Sequence, residues 1–202
     1  MNSHLAIGRS RDWAVYLLIG SSLSIANSPS RQIAQSTYHV LVASEAADQI
    51  ALLRFGADGG RVERKIDTGI MPNDIDGPHG LVSSPDGRSY FISLAHGQPF
   101  GAVWKYSPDG KVLARATLGM FPATMSLTPD GEFLYVVNFN LHGDPVTSSV
   151  SVLTTDPLQE IARIPTCRMP HGSRINPDGT RHYSACMMDD TLVEIDTGAL
   201  RV

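Results

Sequence analysis

The chain lacks a basic excess, a helical rhythm, a long apolar run and any established catalytic motif. Its 16 Lys and Arg against 20 Asp and Glu give a net charge of −4 over 202 residues. That balance offers no electrostatic footprint for nucleic acid. No apolar stretch reaches the roughly 20 residues that a membrane-spanning helix needs. The sequence contains no nucleophile elbow, phosphate loop or paired zinc motif. With only two cysteines, Cys167 and Cys186, a disulfide-dense scaffold is excluded and at most one internal disulfide can form.

Glycine and proline are plentiful instead, at 18 and 13 residues, in a chain that is 42% hydrophobic. They recur as Pro85-Asp86-Gly87, Pro129-Asp130-Gly131 and Pro177-Asp178-Gly179, 44 and 48 residues apart. In such a turn Pro presets φ, Asp bonds its own backbone and Gly supplies positive φ. A period of this length marks a repeated supersecondary unit and fits one four-stranded propeller blade. In the second repeat, Ala123 to Leu127 (strand a) precedes the turn and Glu132 to Asn138 (b) returns from it. Ser148 to Thr154 (c) then alternates valine with serine, and Glu160 to Ile164 (d) closes the unit.

The template also fits from Gly80 to Leu118, with a further turn at Pro108-Asp109-Gly110, and again from Gly172 to Thr197. Upstream, Tyr38 to Ala43, Ile50 to Phe55 and Arg61 to Ile66 read as b, c and d. The predicted strand count is three, four, four and three. Pro-His-Gly, a short strand, Pro-Asp-Gly and then a strand such as Tyr135-Val136-Val137-Asn138 together resemble the YVTN repeat of exported, mostly seven-bladed β-propellers. That group is similar in architecture to lactonase-like and cytochrome d1-like propellers. The resemblance covers residues 38 to 202 and implies an all-β propeller of four-stranded antiparallel blades. About three and a half blades are present, an incomplete seven-bladed ring with open edges available for self-association.

Arg9 and Arg11 precede an apolar stretch from Trp13, with small residues at Ser24-Ile25-Ala26 and Ala34-Gln35-Ser36, the pattern of a cleaved secretory signal. The expected organisation is a signal and linker at 1–36 and a partial propeller at 37–202, with blades near 38–76, 77–120, 121–168 and 169–202. The expected location is periplasmic or secreted, with no membrane span after cleavage.

In such propellers strand a is innermost, so the start of a and the end of b share one rim, opposite the Pro-Asp-Gly turns. That rim collects His79 and His171 from the a-strand starts, and His96, Asn138 and His142 from the b-strand ends. These five residues are the candidate ligand-binding set, for an unidentified small molecule or protein partner. A soft-ligand copper site is drawn from Cys167, Met169, His171 and Cys186. A Cys167–Cys186 disulfide and simple packing compete with it. No other cofactor is expected. Asp74 and Asp76 are candidate bases, or ordinary loop residues. The reading is a non-catalytic binding scaffold. Its alternatives are a copper-dependent or lactonase-like enzyme and a truncated fragment without a function of its own.

Overall fold

The computed structural model describes residues 37–69, 75–96 and 100–202. The proposed signal segment 1–36 and Asp74 lie outside the described residues. The described strands form four sheets, and within each sheet strands adjacent in sequence are hydrogen-bonded neighbours. The first sheet has the order β1 (Tyr38–Ser44), β2 (Gln49–Gly56), β3 (Gly59–Asp67), with a 3-10 turn, Glu45–Ala47, between its first two strands. The second sheet is β4 (Pro78–Ser83), β5 (Tyr90–Leu94), β6 (Ala102–Tyr106) and β7 (Val112–Thr117). The third is β8 (Pro122–Leu127), β9 (Phe133–Asn138), β10 (Thr147–Thr155) and β11 (Leu158–Arg168), and the fourth is β12 (Arg174–Ile175), β13 (Arg181–Cys186) and β14 (Thr191–Asp196). Three, four, four and three strands in successive meanders make a partial β-propeller, the expected fold class.

The described residues divide into two compact units: 37–40 with 53–63, and 41–52 with 64–69, 75–96 and 100–202. In the first, the described residues carry a charge cluster in which Asp58 pairs with Arg54 at 3.0 Å and with Arg61 at 2.8 Å. The second holds the core and the candidate site.

The core of the second unit follows from strand alternation. Phe91 and Val103 pack with Met125, Leu134 and Val136, which joins the second and third sheets. Tyr135, Val137, Val150, Val152 and Ile164 pack with Ile195, which joins the third and fourth. Each of these side chains is buried, and full burial of one contributes about 1.5–3 kcal/mol. Strand a of the fourth sheet is shorter than expected. Arg174 and Ile175 pair with β13 at Tyr183 and His182, and upstream of them there is an isolated bridge from Pro170 to Cys186. His171 instead bonds Ala185 through its backbone at 2.9 Å, and Ser173 turns its hydroxyl to His182 at 2.8 Å.

The Pro-Asp-Gly turns work as their chemistry requires. Asp86, Asp130 and Asp178 accept from the backbone N–H two residues on, at 2.9, 2.9 and 3.0 Å. Gly87, Gly131 and Gly179 sit at φ of 69°, 76° and 78°. The turns also interlock. A Cβ at Gly131 would lie 3.0 Å from Pro85 Cδ and one at Gly179 would lie 2.9 Å from Pro129 Cδ, while one at Gly87 meets nothing within 4 Å. Gly87→Ala should therefore cost about 1 kcal/mol, from left-handed backbone strain alone. Gly131→Ala and Gly179→Ala should cost roughly twice that, since a ring must also move. Urea unfolding of the three variants checks the order, and equal losses would refute the interlock.

Candidate functional site

Three X-Pro pairs lead into the inner strands: Gly77-Pro78 and Phe121-Pro122 at the start of β4 and β8, and Met169-Pro170 shortly before β12. The residue before each proline is left-handed, with φ of 61°, 50° and 50°. Glycine adopts this freely, whereas Phe121 and Met169 hold it only because packing over-determines them. Phe121 is buried with Ala95, Ala123 and Phe139, with Met169 against the cluster. Its ring becomes the floor of the rim. The edges or faces of His79, His96 and His142 lie 5.4, 4.8 and 5.5 Å from it, centroid to centroid, and His171 meets Phe139 at 4.7 Å.

Above this aromatic floor a single carboxylate joins two histidines. Glu45 Oε2 lies 2.9 Å from His79 Nδ1, and Oε1 lies 2.6 Å from His96 Nε2. The chain extends at both ends. His79 Nε2 is 3.4 Å from His171 Nε2, and His96 Nδ1 is 3.4 Å from His142 Nε2. The result is a continuous run His171, His79, Glu45, His96, His142. The 3-10 turn that carries Glu45 is fastened by Asp48, whose side chain accepts from the Gly77 N–H at 2.7 Å. The Thr124 hydroxyl donates to the His171 carbonyl and fixes the other end.

Burial pushes the Glu45 carboxyl up, but the hydrogen bonds from His96 and His79 and their charge outweigh it, so it ionises below its ordinary range. Burial, and then the charge of His79, push the His171 imidazole below its ordinary value. The site therefore pairs a carboxylate with rings that are partly enclosed, and it opens to solvent at His142, which is exposed.

Four of the five candidate ligand residues, His79, His96, His142 and His171, are thus brought together. Asn138 is not available with them. Its side chain is buried and already engaged, accepting from the Gly119 N–H at 3.0 Å and donating to Ser149 and Ser151 at 3.0 and 2.8 Å. The sulfur-rich metal set must also be corrected. Cys167 and Cys186 form a disulfide that ties β11 to β13, so neither offers a thiolate. Of that set Met169, in the packed cluster below the rim, and His171 remain. Met187 and Met188, which follow Cys186 in the chain, are exposed. Asp76 supplies its backbone, accepting from the His96 N–H at 3.0 Å.

Glu45, Phe121 and Phe139 were not among the candidates. Glu45 follows the end of β1, a b-type strand, so the rule that selected His96 and His142 would also have selected it. Phe121 and Phe139 carried no signal apart from their positions next to rim residues.

A partial β-propeller with a histidine-lined rim is the class that fold and site define. No protein-family model and no curated protein matches the sequence. Among solved structures, hydrazine synthase from Kuenenia stuttgartiensis is similar, with a TM-score of 0.63 and 16% sequence identity. The match covers 80% of this chain and 46% of that one, so the chain spans under half of the protein it resembles. A likeness at this identity concerns the fold alone.

Proposed function

We propose that this chain is an exported β-propeller of the YVTN-repeat type whose rim binds a small ligand or a protein partner without catalysing a reaction. One observation carries the reading: four histidines from three sheets and one glutamate converge on a single aromatic floor, in a chain without a nucleophile motif. Convergent polar groups over an apolar base are the usual make-up of a ligand site. The rings are held by packing and by Glu45, so binding need not order them first, which favours affinity.

The test is a thermal-shift screen of the full chain against small anions, sugars, amino acids and metal salts. At least one class should raise the midpoint by several degrees, and His79→Ala should abolish that shift. Turnover of a defined substrate that vanishes in His171→Ala would overturn the non-catalytic reading. Shifts that are the same in wild type and variant would remove the rim from it.

A further inference from the structure

The two outer contacts of the rim are nitrogen to nitrogen, and Glu45 determines what the inner nitrogen of each, on His79 or His96, carries. A carboxylate only accepts, so the proton of neutral His79 sits on Nδ1, which faces Glu45 Oε2 at 2.9 Å. Its Nε2 is then a bare lone pair, 3.4 Å from His171 Nε2. That separation exceeds the roughly 2.7–3.2 Å of ordinary N–H hydrogen bonds. It is close to the edge, about 3.3 Å, of a tetrahedron whose arms are Zn–N bonds of about 2.0–2.1 Å.

Resting on the rim as the binding site, we propose that His79 Nε2 and His171 Nε2 are paired ligands for a divalent d-block cation. Glu45 is the carboxylate behind His79 that fixes its tautomer and orientation. Imidazole nitrogen selects zinc, copper or nickel over magnesium or calcium. Both rings are locked before any ion arrives. Phe121 packs edge-on to His79 at 5.4 Å and Phe139 to His171 at 4.7 Å, and the His171 backbone is held on both sides. Among the described residues no three His, Cys, Asp or Glu side chains converge on one metal position. The protein therefore supplies two bonds, and the remaining positions go to water or to an anionic ligand. His96 and His142 repeat the geometry on the other side of Glu45, but His142 is exposed on a loop and less constrained.

The experiment is calorimetric titration of the chelator-stripped full chain with zinc chloride, with circular dichroism confirming that each variant is folded. One ion per chain is expected. His79→Ala and His171→Ala should each weaken binding at least about tenfold, and Glu45→Gln by about 10–100-fold. His39→Ala, a change at an exposed histidine paired with Glu63, should titrate like wild type. Cobalt(II) should give a visible spectrum that is lost in His171→Ala. Zinc binding that is absent, or equal in wild type and the His79→Ala/His171→Ala double variant, overturns the proposal. If an organic compound from the thermal screen still needs His79 while zinc does not bind, the metal fails and the rim reading survives. If nothing depends on His79, both fall.

Discussion

Reducing the Cys167–Cys186 disulfide lowers the stability of the folded chain by roughly 3 kcal/mol, the loop-entropy expectation for a link between residues 19 apart. For a chain of this size that corresponds to a fall in Tm on the order of 10 °C. The link matters because it joins β11 of one sheet to β13 of the next, where β12 contributes only two residues to the ladder. Around it lie a bridge between Pro170 and Cys186 and the Arg168–Asp189 ion pair at 2.5 Å. These contacts tie the fourth sheet near the rim but do not restrict the unfolded chain. Thermal unfolding with and without reductant, repeated on Cys167→Ser/Cys186→Ser, measures the effect. The double variant should already melt at the lower temperature and ignore reductant. Two thiols alkylated in the native protein, or an unchanged Tm, would contradict the structure here.

Acid should unfold the chain partly through one residue, His182. Its ring is fully buried, stacks on Tyr135 at 5.1 Å and holds Ser173 Oγ at 2.8 Å, which in turn meets Ser126 Oγ at 2.9 Å. Its Nδ1 has no partner among the described residues, so protonation would bury a charge with nothing to receive the new N–H. Burial pushes the imidazole down from 6.5 to about 4. The unfolded chain takes up this proton near pH 6.5, whereas the folded chain resists until about pH 4. Stability is therefore intact above the unfolded value, falls as pH drops between the two, and has lost about 3 kcal/mol below both. Urea unfolding of wild type and His182→Gln at pH 7.5, 5.5 and 4 separates this from the exposed carboxylates, which both proteins share. The stability difference between them should change by that amount across the series. A constant difference would mean that His182 does not couple folding to protons.

The propeller architecture was legible because its signals are local. Pro-Asp-Gly needs nothing beyond its own backbone to turn, and alternating valines declare a strand without reference to distant partners. The four histidines were legible for a related reason, since repeat logic places the start of a and the end of b on one rim. Glu45 obeyed the same logic but sat in a run of small residues that drew no attention to chemistry. The engagement of Asn138 was not legible, because a polar residue at a strand end looks the same whether its amide is free or, as here, divided among Gly119, Ser149 and Ser151. The disulfide could only be left open, because spacing does not say whether two sulfurs face each other or an ion. Phe121 was hidden by its backbone, as nothing in Phe-Pro announces a left-handed φ of 50°.

Gly131 leaning on Pro85, and Gly179 on Pro129, has a consequence for the order in which the protein is made. In both cases the supporting ring leaves the ribosome some 46 or 50 residues before the glycine that will rest on it. Each nascent turn thus closes against a ledge that already exists, so synthesis from the N-terminus and the stacking of blades run in the same direction.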